Sequence, residues 1–477
     1  MGYNVTPSAV RTTTNRNYVN SQAISSSITN LNLEKPIVDP NLVRGFRGLL
    51  TTFVSSMGAM NGVDNPWYSH VEKDWIREIV KPSASVAAGS TAGASVNISA
   101  ASGYVQNISN SAAPEYFESS TSAAYVPAVG DILVVPNGAS PVQVLVTAVS
   151  AAQFTIFPLL AGDTIPAVGT STEIVRIGTA FPEGSSAAAP RASRISGYEN
   201  NLQSFRDAFK VTGSASTSCT WLENLGESGN GYAWYLEGIR DTVDNHETDC
   251  EVTMLVGEKA TNTTLAAVAG QGTTTTTEGL TPFVESNGQR EDYASAIDLG
   301  DIADMSKALW KYQGAKENYL WVGHGLSISI DDLLRTSSGL TAGGIMYSNI
   351  SEDKAANLNF KSFTYGNVTY HKNVLDAYTQ PNLLNATGLQ YDIQGLVIPA
   401  DNVNAPKDGL RGQTESVPSL RINYLDREDA VNGYKEWATG AAILDTPTDD
   451  EDAMTIHMLS QKGFEGFAGH RFGQFYT

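Results

Sequence analysis

Basic residues are scarce in this chain, and along one stretch they vanish. Thirty Lys and Arg face fifty Asp and Glu over 477 residues, a formal charge of −20. Proteins that grip nucleic acid do so through clustered Lys and Arg that displace phosphate counterions. The deficit therefore excludes a DNA-binding regulator, while a container wall that encloses DNA without clinging to it stays compatible. Cysteine is also nearly absent: Cys219 and Cys250 cannot build the disulfide framework of a stapled secreted domain. Met1 to Asn20 holds Arg11 and Arg16 but no apolar core of a signal peptide, so synthesis and residence in the cytoplasm are expected. The uncharged run Ile132 to Gly162 is broken by Pro136, Gly138, Pro141 and Pro158 and alternates β-branched residues. It reads as strands and not as a membrane span. Met1-Gly-Tyr-Asn-Val-Thr6 fits the short myristoylation pattern, a match too common by chance to carry a membrane anchor.

What is present is organised in blocks. Single cores seldom grow past about 250 to 300 residues, so two or three compact units are expected. Residues 1 to about 45 lack helical or strand periodicity and read as an extended arm that a partner surface would order. From Pro82 to Val175 there is no Lys or Arg. The second half of this island runs through Val129–Val135, Pro141–Val149 and Gln153–Phe157, with turns at Asn137-Gly138 and Ser150-Ala-Ala, and Ile174–Ile177 is placed to close it. Short alternating strands on tight turns predict a small barrel or sandwich. Pro182 to Pro190 reads as a linker.

A polar-aromatic stretch, Tyr198 to Gly213, then leads to a long acidic amphipathic helix expected from about Gly231 to Val256. Leu236, Ile239, Val243, His246, Cys250 and Met254 recur at steps of three and four and form one apolar stripe. At about 1.5 Å per residue the rod spans roughly 39 Å, and Gly257 is placed to end it in the left-handed conformation. A Thr-rich loop follows, ending in Glu278–Val284. Beyond Gly288 helices and strands alternate: a helix marked by Ile302, Met305, Leu309 and Tyr312, a strand at Tyr319–Val322, a short helix from Asp331, a hairpin about Gly366-Asn367, and strands at Ile393–Ile398 and Leu420–Tyr424. This pattern predicts an α+β fold. An acidic connection, Asp445 to Asp452, leads to strands expected at Met454–Leu459 and Gly463–Phe467.

No motif supports catalysis, a cofactor or a metal. His246 and Cys250, four apart, have the spacing of two zinc ligands, yet two ligands do not make a site and the apolar stripe favours core packing. Gly323-His-Gly325 beside Ser327 and Ser329 lacks the strand-to-helix frame of a hydrolase elbow. Gly270-Gln-Gly272 has neither the strand nor the helix of a dinucleotide site, no phosphate loop occurs, and Asp449–Asp452 lacks the spacing of a calcium loop.

The order of these signals resembles the major capsid proteins of tailed bacteriophages, the Hong Kong 97-type fold, in particular the subgroup with a β-rich insertion in the extended loop. The resemblance runs from about Trp67 to the C-terminus. It rests on Asn201, Gln203, Phe205 and Arg206 in the returning segment that feeds the spine helix, on Val71-Glu-Lys-Asp-Trp-Ile-Arg77, and on Gly130, Asp131, Leu133, Val146 and Val149 in the island. It implies an N-terminal arm (1–60), the first half of an extended loop (61–81), an all-β insertion domain (82–189), the loop's return (190–215), a peripheral domain with the spine helix (216–290), an axial domain (291–445) and C-terminal strands of the peripheral domain (446–477). It further implies self-assembly into hexamers and pentamers of an icosahedral head around double-stranded DNA held without specific binding. Scaffolding, portal and decoration proteins are the implied partners, the virion is the destination, and there is no enzymatic activity and no membrane. Candidate contacts between copies are Arg44, Arg47, Trp67, Trp75, Gln203, Phe205 and Arg206, with burial in one subunit's own core the equal alternative for the tryptophans. The alternative from the Ser/Thr-rich island alone is a carbohydrate-binding or adhesive surface protein.

Overall fold

The computed structural model describes residues 60–73, 80, 82, 85–89, 94–97, 105–107, 115–116, 127–138, 140–150, 153–169, 172–185, 195–214, 234–262, 274–294, 296–337, 361–381, 383–386, 388–406, 414–442 and 446–477. The arm and Cys219 lie outside these residues. The chain runs through β1 (Met60–Val63), β2 (Trp67–Lys73), β3 (Ala94–Asn97), β4 (Val105–Asn107), β5 (Glu115–Tyr116), β6 (Asp131–Val135), β7 (Val142–Ser150), β8 (Gln153–Pro158) and β9 (Val175–Thr179). Next come β10 (Ile195–Asn201), β11 (Gln203–Thr212), helix α1 (Trp234–Val256), β12 (Ala260–Asn262), β13 (Thr274–Thr276), α2 (Leu280–Asn287) and β14 (Gln289–Asp292). They are followed by α3 (Leu299–Lys311), β15 (Glu317–Val322), α4 (His324–Ser337), β16 (Ser362–Tyr365), β17 (Val368–Val374) and α5 (Asp376–Thr379). The chain closes with β18 (Gly395–Pro399), β19 (Asn402–Pro406), β20 (Thr414–Pro418), β21 (Leu420–Leu425), β22 (Tyr434–Gly440), β23 (Ala453–Gly466) and β24 (Gly473–Tyr476).

Two compact units emerge. The first takes its described residues from Met1–Tyr68, Asn200–Pro282 and Leu420–Glu465. Its sheet has the order β1-β21-β23-β11, with β22 also on β23. β11 and β23 pair antiparallel along the whole of β11, from Gln203 opposite Lys462 to Thr212 opposite Ala453. Val211, Met454, Ile456 and Met458 form the apolar face, and Ile239 and Val243 of α1 pack on it with Phe209. Gly238 makes a notch for that ring, since a Cβ there would lie 2.6 Å from Phe209. Gly257 follows α1 as expected but is not among the residues with positive φ. Glycine is needed because a Cβ would meet the Thr253 carbonyl at 2.5 Å. The two strands expected at Met454–Leu459 and Gly463–Phe467 are one continuous strand, β23.

The second unit takes Ser69–Glu199, Phe283–Ser419 and Gly466–Thr477. Its larger sheet runs β16-β17-β15-β18-β24-β14-β4-β5. Ile302, Met305 and Leu309 of α3 and Leu326 and Ile330 of α4 bury against Leu320, Val322, Val368, Tyr370, Val397 and Phe475. A capping box between Asp298 and Asp301 starts α3. The predicted hairpin joins β16 to β17, with Gly366 and Asn367 both at positive φ (57° and 68°), the type I′ turn that matches strand twist. α4 begins at His324, seven residues before the expected start at Asp331.

The island forms a five-stranded antiparallel sheet, β3-β8-β7-β6-β9, in which β9 pairs β6 as the closing strand. Among the described residues it is one sheet, covered by bridging segments at Val80–Ile174 and Val86–Val168, where a barrel or sandwich was expected. Leu133, Val135, Val144, Val146, Phe154 and Ile156 point inward to Val80, Ile165, Val168 and Ile174 in an apolar core.

Candidate functional site

Of the seven candidate contacts, Arg44, Arg47 and Trp75 lie outside the described residues. Trp67 opens β2, which pairs with β10 as a two-stranded ribbon. Alternation along a strand sends Trp67, Ser69 and Val71 to one face, and Tyr68, His70 and Glu72 to the other. The second face is tied down. The Tyr68 hydroxyl donates to the Phe464 carbonyl at 2.5 Å, His70 stacks on Tyr198, and the Glu72 carboxylate accepts from the Ala468 N–H at 2.6 Å. Burial pushes the Tyr68 phenol well above its ordinary pKa, so it stays a donor. The first face is bare: Trp67 is 73% exposed and Val71 66%. A two-stranded ribbon is marginal in water by itself, and bare large apolar residues on one mark a binding face.

Gln203, Phe205 and Arg206 all lie on β11. Arg206 is exposed, Phe205 is buried, and the Gln203 side-chain oxygen accepts from the Thr277 N–H at 3.3 Å. Gln203 thereby joins a polar clip centred on Asn200, a residue the sequence reading passed over in favour of Asn201. The Asn200 amide donates to the carbonyls of Phe464 (2.7 Å) and Glu278 (3.1 Å) and to Thr277 Oγ1 (3.3 Å). Its oxygen accepts from the N–H groups of Glu278 (2.9 Å) and Asn201 (2.8 Å). One buried carboxamide thus fastens the end of the Thr-rich loop and β23 to the β10–β11 junction. Gly463 is required beside it, because a Cβ would lie 2.7 Å from both the Asn201 carbonyl and the Tyr68 hydroxyl. A second clip binds Arg421 Nε and Asn423 Nδ2, each at 2.6 Å, to the buried Glu465 carboxylate.

His246 holds α1 to the sheet. Its Nδ1 is 2.5 Å from Asp207 Oδ2 on β11 and its Nε2 is 2.8 Å from Ser460 Oγ on β23. The order of groups is that of a Ser-His-Asp relay, but a relay needs a hydroxyl that a substrate carbonyl can reach and donors for the oxyanion. His246 and Ser460 are each 1% exposed, so the arrangement is a bolt between helix and sheet. Both ring nitrogens are engaged by oxygen partners, which accounts for His246 on the apolar stripe. Cys250, one turn on, is buried, and burial pushes its thiol up to about 12, far from the reactive range.

The other sequence candidates resolve structurally. Gly323 and Gly325 lie against Asp392, whose carboxylate accepts the Gly325 N–H at 3.1 Å. Ser329 spends its hydroxyl on the Gly325 carbonyl within α4. Asp449 to Asp452 are exposed. Among the described residues no group of three His, Cys, Asp or Glu is arranged to hold a metal, and no helix is long and apolar enough to cross a membrane.

The family model for SU10 major capsid protein matches residues 49–373, more than half of the chain. The chain belongs to that family. A capsid-forming role in the virion follows, and the structure has the α+β class expected from the sequence. No curated protein matches. Among solved structures, the cyanophage A-1(L) capsid asymmetric unit is 12% identical, with 63% of this chain and 84% of that one covered at a TM-score of 0.38. Mycobacterium phage Bobi is 8% identical over 96% and 98%, TM-score 0.37. The holo-SrpI encapsulin complex of Synechococcus elongatus PCC 7942 is 10% identical over 59% and 77%, TM-score 0.31. Likeness at this level adds nothing to the family match, on which the assignment of the capsid protein rests.

Proposed function

We propose that copies of this chain associate into hexamers and pentamers and close an icosahedral phage head around double-stranded DNA, with assembly in the host cytoplasm. The observation that carries the reading beyond family membership is the two-faced ribbon of β2 and β10: one face is fastened by Tyr68, His70 and Glu72, and the other offers Trp67 and Val71 to a neighbour. In this reading residues 61–81 and 190–215 are the two halves of an extended loop, 82–189 are inserted in it, and 1–60 form the arm. Residues 216–290 with 446–477 make the peripheral domain, and 291–445 the axial one. Each contact is modest, and closure follows from many acting together under symmetry. The net charge of −20 keeps the wall from clinging to the packaged polyanion. Separate scaffolding and portal proteins, and decoration proteins on the outside, are the proposed partners; no step is catalytic.

Negative-stain microscopy of the expressed chain tests this. Shells or hexagonal sheets are expected, and Trp67→Ala and Trp75→Ala are expected to reduce them sharply while leaving the far-UV spectrum of the subunit unchanged. Isolated subunits at every concentration, with and without co-expressed scaffolding protein, would overturn it.

A further inference from the structure

A half-solvated antiparallel sheet ordinarily alternates apolar residues inward with polar residues outward. The five-stranded module departs from this on its outer face. Phe157 stands opposite Leu145, and Leu145 opposite Ile132. Ile177 sits beside Ile132 at a shift in register between β6 and β9. The next row runs from Leu159, whose N–H donates to the Gln143 carbonyl at 2.9 Å, through Gln143 opposite Val134 to Val134 opposite Val175. Eight positions in two adjacent rows across four strands therefore hold seven large apolar side chains and one amide, with no charge. Phe157, Leu159, Val175 and Ile177 are each 38% to 45% exposed. The inward side is already filled by its own core, so this is a second apolar face.

We propose that this outer face packs against the same face of a second copy of the chain, two sheets meeting about a two-fold axis; the inference rests on the capsid-forming reading and names one of its contacts. Charge selects the occupant. A chain of −20 repels its own copies wherever acidic surfaces meet. Here neither row carries a charge, no Lys or Arg occurs from Pro82 to Val175, and Asp131 is buried in its 2.9 Å pair with Arg176. The face offers nothing to a charged partner and no repulsion to its own copy. Strands about 4.8 Å apart make the stripe roughly 14 Å across, and facing sheets pack about 10 Å apart. Eight residues a side fall well short of the roughly 20 to 30 of a standard interface. The contact is thus too weak to dimerise free subunits and acts once other contacts hold many copies together.

Gln143, exposed and central in the stripe, lies near the proposed axis. Assembled particles of the full-length Gln143→Cys chain, oxidised and run on a non-reducing gel, are expected to give covalent dimers, whereas Asn137→Cys in a turn of the same module gives none. Intact Gln143→Cys particles without dimers would overturn the contact and leave the capsid reading standing; an unaltered chain that never assembles would overturn both. As a second measurement, Val175→Lys with Ile177→Lys sets like charges face to face. Particles of this variant are expected to melt at lower temperature than unaltered ones while free subunits melt alike; equal melting of the particles would also sink the assignment.

Discussion

Buried polar groups divide the first unit from parts of the second. In the first, the amide of Asn200, the ring of His246 and the carboxylate of Glu465 each have several close partners, and each fastens one element to another. In the second, the module around Leu133 and Phe154 has an apolar core, and on β14 the carboxyl of Glu291 is 1% exposed with no hydrogen-bond partner for Oε2 among the described residues. Burial, together with Asp304, Asp301, Asp292 and Asp298 nearby, raises Glu291 from its ordinary value to about 8. Apolar packing is non-directional and tolerates small slips, whereas a satisfied polar clip fixes register and is costly to break. The first unit is thus pinned by polar clips, whereas the five-stranded module of the second relies mainly on apolar packing.

The sharpest way to break this contrast is Asn200→Ala. It removes five hydrogen bonds and strands the Glu278 N–H in a buried site, while Tyr68 still donates to the Phe464 carbonyl, so a loss of about 4 kcal/mol is expected in urea unfolding of the unassembled subunit. Leu133→Ala, which leaves only a cavity in the apolar core of the module, is expected to cost about 3 kcal/mol by the same measurement. A larger loss for Leu133 than for Asn200 would reverse the comparison.

Glu291 gives the third test. Its folded value of about 8 exceeds the unfolded 4.5, so the folded state keeps a proton that the unfolded state has lost in between. The favourable contribution is fully present below about 4.5 and disappears as pH rises through about 8. Stability is expected to fall by about 2 kcal/mol between pH 5 and pH 7 on account of this group, and Glu291→Gln is expected to flatten that slope. A variant with the unaltered pH profile would show that Glu291 has its partner after all. The smallest effect on the fold belongs to Trp67→Ala, within about 0.5 kcal/mol in thermal unfolding of the free subunit, because exposed side chains contribute little to the fold that bears them. A large loss there would move Trp67 from the binding face to the core.

Local chemistry made much of the fold legible in advance. The α1 stripe, the strands of the island and the Gly366-Asn367 turn each follow from near neighbours in sequence. The misreadings share one cause, a residue whose reason lies far along the chain. The helix expected from Asp331 starts at His324, between Gly323 and Gly325, which are glycine because Asp392 lies against them. Ser460 to Lys462 stood between two expected strands, but His246 takes up the serine, so β23 continues through them. Asn200 gave no signal beyond standing next to Asn201; its partners lie 77 to 264 positions away. Of the candidate contacts, Trp67 was readable as a large aromatic among polar neighbours, while the outer face of the module was hidden because both faces of its strands are apolar.

The Phe209 ring in the Gly238 notch and the His246 bolt hold α1 at two points eight residues apart, about 12 Å along its axis. A rod pinned twice can neither roll nor slide, so load arriving at one end is delivered to β11 and β23 as shear across a few hydrogen bonds. Such a joint is expected to hold its shape up to a threshold load and then to give way abruptly, instead of yielding by degrees.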